Sequence, residues 1–123
     1  YNGAGSGKGV GLWRSFRKEA IENYFVLTQL KPNKPLLICE SASRERRGGE
    51  SGQSKADWIR DAAQAMKTDM SKIRLLAWFN EKETFKVNSS DASKNAFRQY
   101  IINDGFFRSG KQEFEKTFGI WRR

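Results

Sequence analysis

The sequence predicts an α/β fold with parallel strands, of which this chain holds a part. Two short apolar runs, 36–40 and 73–79, read as strands buried on both faces. Each is preceded by an amphipathic helical pattern, and a third such pattern follows, so strands and helices alternate as they do around a parallel sheet. Two such strands are too few, because each would expose an edge and a face that its composition says should be covered. The chain also opens on Tyr1-Asn2-Gly3, with neither an initiator Met nor a signal peptide, so the true N-terminus is expected to lie further upstream.

The first segment is a loop. Glycine occupies every second position from Gly3 to Gly11, and glycine weakens helix and strand interiors. It is no phosphate loop: a Walker motif ending at Gly7-Lys8 would need Gly at position 2 and Ser or Thr at position 9, where Asn2 and Gly9 stand. The dinucleotide pattern fails as well, because Lys8 falls where its third Gly is required. A helix follows, with Trp13, Phe16, Ala20, Tyr24, Leu27 and Leu30 in one apolar stripe. Pro32 and Pro35 end it. The run Leu36-Leu37-Ile38-Cys39-Glu40 is the first strand, and alternation along it places Cys39 opposite Glu40, toward the helical layer and buried in an intact barrel.

Residues 41–53 form a polar loop. Ser54 and Asp57 make an approximate capping box for a second helix, whose inner face carries Trp58, Ile59, Ala62, Ala63 and Met66. The second strand runs from Ile73 to Phe79, and 80–88 is a loop. Ser89 or Ser90 caps a third helix with Ala92, Ala96, Phe97, Tyr100 and Ile101 inward, ended by Asn103-Asp104-Gly105. Residues 110–123 form a tail able to make one short helix around Phe114, Phe118 and Trp121.

Composition narrows the chemistry. A single cysteine rules out an internal disulfide and a Cys-based zinc site. Histidine is absent, which removes Ser-His and Cys-His pairs. Chemistry on this segment must use carboxylates, Lys, Tyr or backbone groups, and no metal or organic cofactor is expected. No run approaches the ~18 apolar residues of a membrane span. The net charge of +9 raises the question of nucleic acid, but the basic residues are spread along the chain. The densest group, Arg44-Glu45-Arg46-Arg47, contains a Glu and no aromatic platform, and reads as a solvated loop with a phosphate patch as the alternative.

Function in parallel α/β folds collects at the C-terminal ends of strands. Those ends carry Glu40 and Trp78-Phe79-Asn80. A carboxylate closing an apolar strand is costly unless paired or used. A carboxylate beside an aromatic plate suits carbohydrate chemistry: the carboxylate attacks or stabilises an anomeric carbon, and the ring stacks on the sugar. Against this stands the plainer reading, a solvated Glu entering a loop and a core Trp. Other carboxylates fit less well, Asp57 being explained by its helix start and Glu81 and Glu83 lying in a loop.

A set of ordered segments resembles glycoside hydrolase family 26, the endo-β-mannanase type. Lys34-Pro35-Leu36-Leu37-Ile38-Cys39-Glu40-Ser41 looks like that family's seventh barrel strand, and Ile73-Arg74-Leu75-Leu76-Ala77-Trp78-Phe79-Asn80 like its eighth. Gly48-Gly49 with Lys55-Ala56-Asp57-Trp58-Ile59 resembles its Gly-rich loop and the next helix start. Tyr1-Asn2 is similar to the end of its sixth strand, Trp13-Ser15-Phe16 to the helix after it, and Val87-Asn88-Ser89-Ser90 with Ala96-Phe97-Arg98 to its last helix. The match runs in order from residue 1 to about residue 100.

The resemblance implies that residues 1–109 are the C-terminal portion of a (β/α)8 TIM barrel, from the end of the sixth strand through the eighth helix. It implies retaining hydrolysis of β-mannan or a related β-glycan, with Glu40 as nucleophile and Trp78 and Tyr1 lining the subsite at the cleaved sugar. The acid/base Glu of that family sits on the fourth strand, outside this chain, so the segment alone is expected to be inactive. Secretion is implied too. The loop from Ser43 to Gly52 is longer and more basic than the family pattern, which leaves subsite preference open. The competing expectation is a small basic module binding nucleic acid or an acidic polymer.

Overall fold

The computed structural model describes residues 2–3, 13–45 and 53–107. Tyr1, most of the glycine loop, Arg46-Arg47, Gly48-Gly49 and the 110–123 tail lie outside them. The elements run α1 (Phe16–Leu30), β1 (Leu36–Ser41), α2 (Lys55–Lys67), β2 (Ile73–Trp78) and α3 (Asp91–Phe97), the last continued by a π-helical turn over Arg98–Ile102. β1 and β2 pair in parallel, as the alternation of helices and strands requires.

Helix starts follow side-chain chemistry. The Ser15 hydroxyl accepts from the Lys18 N–H and caps α1, so Trp13 precedes the helix rather than opening its stripe, although it still packs on the core. Ser54 and Asp57 complete a reciprocal box at α2, with Asp57 N–H to Ser54 Oγ at 3.1 Å and Ser54 N–H to Asp57 Oδ2 at 3.0 Å. Ser90, of the two serines expected to compete, caps α3. In α3 the buried position falls to Ser93 and not to Ala92, which is exposed. Ser93 can sit inside because its hydroxyl donates to the Val87 carbonyl at 2.9 Å. Gly105, at φ +77°, takes the left-handed conformation that ends the segment.

The core centres on α2. Trp58, Ile59, Ala62, Ala63, Ala65 and Met66 are all buried, and the three alanines let neighbours approach the helix closely. Phe16, Trp58, Trp78 and Phe97 form a chain of edge-to-face rings at centroid separations of 5.2, 5.6 and 6.2 Å, joining α1, α2, β2 and α3. The α1 stripe is covered only in part: Phe16 and Tyr24 are buried, but Leu27 and Leu30 are 47% and 67% exposed.

In this two-stranded sheet Leu36 and Ile38 pack on the core, whereas Leu37 is 46% exposed, because the described helices cover one side of the sheet. Cys39, whose expected burial concerns the intact barrel, is exposed in this chain. Between the pairs Ile38↔Leu76 and Ser41↔Trp78, β1 advances three residues while β2 advances two. This bulge interrupts strict alternation, and Cys39 and Glu40 are exposed one after the other.

Candidate active site

The C-terminal ends of β1 and β2 lie side by side, with Ser41 paired to Trp78 and the Phe79 N–H donating to the Ser41 carbonyl at 2.9 Å. Beyond β1 the chain stays extended and meets Asn2. The Asn2 N–H donates to Ala42 O at 2.9 Å, the Arg44 N–H donates to Asn2 O at 3.2 Å, and Asn2 bridges Ser43 in parallel. Three parallel backbone segments thus end together, in the order Asn2, β1, β2. Asn2 is buried, and both ends of its side-chain amide are bonded: Nδ2 donates to Ser43 Oγ at 3.0 Å, and Oδ1 accepts from the Arg14 N–H at 3.0 Å.

Glu40 stands at this end of β1, exposed, and makes no hydrogen bond or ion pair among the described residues. It lines an open cleft of about 480 Å³ between α1 and β1, together with Arg14, Glu19, Asn23 and Tyr24. Glu19 has its pKa raised by burial, against the hydrogen bond from Trp58 Nε1 and the Arg14 charge.

Trp78 is one register step from Glu40 but faces other neighbours. Its ring packs on Trp58 and Phe97, and its Nε1–H donates to the Phe85 carbonyl at 2.8 Å. It does not line the cleft that Glu40 borders. The fold therefore brings Glu40 and Trp78 to one end of the sheet without closing them around one cavity. Tyr1 lies outside the described residues.

Arg44 and Glu45, the described part of the basic run beyond β1, are less solvated than the sequence suggests. Arg44 Nη1 donates to Gly3 O at 3.0 Å. Glu45 Oε1 accepts from Ser89 and Ser90 hydroxyls at 2.9 and 2.7 Å and lies 3.7 Å from Lys55 Nζ. Burial pushes the Glu45 pKa up, but the Ser90, Ser89 and Ser93 hydroxyls and the Lys55 charge outweigh it and hold the carboxyl below its usual range. Sequence reasoning took Lys55 only as part of a helix-start motif. The signal was a cation on the first residue of a helix, where the macrodipole is unfavourable to it. Among the described residues no three His, Cys, Asp or Glu side chains converge to hold a metal, and no helix is long and apolar enough to cross a membrane.

Scanned against models of known protein families, the chain matches none. Against curated proteins it is 36% identical over 91 residues to Endoglucanase H of Acetivibrio thermocellus, an alignment covering 72% of this chain and 9% of that enzyme. The chain is a glycoside-hydrolase-like segment. It spans less than a tenth of the length of the endoglucanase it resembles.

Proposed function

We propose that this chain is the closing portion of a (β/α)8 barrel of the family 26 type, in a secreted retaining glycosidase that cleaves β-1,4-mannan or a related β-glycan. Glu40 is the nucleophile. Trp78 and Tyr1 line the subsite at the cleaved sugar, and the acid/base carboxylate comes from a barrel strand outside this chain. The observation that carries the reading is Glu40 itself: a carboxylate without a partner among the described residues, at the C-terminal end of a parallel strand, where barrel enzymes keep their catalytic groups. Two further facts support it. The segments Asn2, β1 and β2 lie in the parallel order of consecutive barrel strands, and the sequence is similar to a stretch of an endoglucanase.

Retaining hydrolysis needs two carboxyl groups about 5–5.5 Å apart, one attacking the anomeric carbon and one serving first as acid and then as base. Glu40 supplies the first of these. Trp78 offers the sugar a ring surface only, since its N–H is spent on Phe85. The 123-residue chain by itself should hydrolyse no glycoside, for want of the second carboxyl group.

The test has two stages. The reading frame should continue upstream of Tyr1 with about five more βα units, as a barrel requires. In that longer enzyme Glu40→Ala should abolish turnover while sparing oligosaccharide binding, and azide should restore cleavage of an activated aryl glycoside with inverted product. A Glu40→Ala rate within about tenfold of the unaltered enzyme, a loss of only ~1.4 kcal/mol, removes Glu40 as nucleophile.

A further inference from the structure

Lys55, the first residue of α2, is completely buried. Burial pushes its pKa down, and the nearby Glu45 carboxylate opposes that shift. Every donor on its ammonium is matched: Nζ donates to Thr84 O at 2.8 Å, to Lys86 O at 2.8 Å and to Ser89 Oγ at 2.5 Å, with Glu45 Oε1 at 3.7 Å. These acceptors belong to the loops after β1 and β2, so a single cation gathers both loops at the end of the sheet where Glu40 and Trp78 stand.

The carbonyl that Lys55 skips is the informative one. Thr84, Phe85 and Lys86 present three consecutive carbonyls; the outer two accept from Lys55 and the middle one from the Trp78 indole. Fixing the peptides on both sides of Phe85 fixes the direction of its carbonyl. That carbonyl in turn sets the rotation of the indole, since the edge-to-face contacts with Trp58 and Phe97 are less directional than a 2.8 Å hydrogen bond.

We propose that Lys55 is the positioning residue for Trp78: by clamping the carbonyls of Thr84 and Lys86 it aims the Phe85 carbonyl, and through it fixes the rotation of the indole ring at the C-terminal end of the sheet, the end where the sugar would bind. The sugar in this statement rests on the proposed glycosidase function; the clamp rests on the geometry alone.

The test reads the two separately. The indole N–H bending band in ultraviolet resonance Raman reports hydrogen bonding in the full chain whatever its association state. The difference from Trp78→Phe isolates the Trp78 contribution, and the difference from Trp58→Phe isolates that of Trp58. In Lys55→Met the Trp78 band should shift toward a free indole, and its deuterium exchange should quicken at least tenfold, while the Trp58 band, which reports the bond to Glu19, stays put. An unmoved Trp78 band overturns the proposal. If Lys55→Met disturbs both bands, Lys55→Gln, which keeps a shorter neutral donor, is read the same way; loss of both bands there too makes Lys55 a general folding residue and also overturns it. In the longer glycosidase, Lys55→Met should weaken oligosaccharide affinity about tenfold with kcat within threefold. A shifted Trp78 band with unchanged oligosaccharide affinity upholds the clamp and overturns the role of Trp78 in sugar binding.

Discussion

Asn2 and Ser43, 41 residues apart in sequence, are joined by a 3.0 Å hydrogen bond from Asn2 Nδ2 to Ser43 Oγ, with both residues buried. With the backbone bonds on either side, this link seats the start of the chain beside the end of β1. Asn2→Ala would strand the Arg14 N–H and remove a partner from Ser43. A buried polar group left unpaired costs about 1–3 kcal/mol. The expected outcome is a loss of that size in the denaturant midpoint, with the slope of the transition unchanged. A variant as stable as the unaltered chain would mean that Asn2 is not seated there.

Acid should loosen the network around Lys55. Glu45 in the folded chain binds its proton less tightly than at its ordinary pKa of 4.5, because the serine hydroxyls and Lys55 favour the carboxylate. The unfolded chain therefore binds more protons on the acid side. The stability contributed by Glu45 is complete above about pH 5 and drains as pH falls through the native pKa. Lys55, lowered from 10.5, acts in the same sense at the other end: stability gains as pH rises from its native value toward 10.5. Urea titrations between pH 3 and 7 should show the acid loss, and Glu45→Gln should shrink it. An acid limb of equal steepness in Glu45→Gln would contradict the assignment.

Cys39 should react quickly. Its side chain is exposed, two residues along β1 from the exposed Leu37. Labelling of the native 123-residue chain by a thiol reagent is expected within about tenfold of the rate for the same chain in denaturant, with access rather than burial setting the rate. Protection of a hundredfold or more in dilute monomer would place Cys39 inside.

The chain should also associate. Phe25 and Val26 are each 55% exposed, Leu30 and Leu37 stand out as well, and β1 has no strand paired with it along 36–41 on the side away from β2 among the described residues. An apolar face next to an open edge is a template for intermolecular pairing. Sedimentation at micromolar concentrations should show species larger than the monomer, and Leu37→Lys should shift the distribution toward monomer. A monomeric chain with a sharp two-state melt would count against this.

The sequence by itself determined the local structure. Ser54 and Asp57 announced the α2 start because a capping box is closed between residues three apart and needs no distant partner. The apolar runs at 36 and 73, separated by a helix, determined a parallel pair because a crossover of that length admits little else. Glu40 and Trp78 could be read as strand-end residues on the same ground.

Tertiary structure alone decided which way those ends face and what holds them. The bulge between Ile38 and Ser41 is a mismatch of two strands, and neither strand encodes it by itself, so the exposure of Glu40 directly after that of Cys39 could not be read from alternation. Arg44-Glu45 looked solvated because a charge run shows only its own composition; its partners, Gly3, Ser89, Ser90 and Lys55, come from three other parts of the chain. Hydrogen bonds and desolvation act between groups close in space, and sequence spacing reports proximity only within one helix turn or one strand. The burial of Lys55 and its grip on the carbonyls beside Phe85 emerge only once α2 and the loop after β2 have packed together.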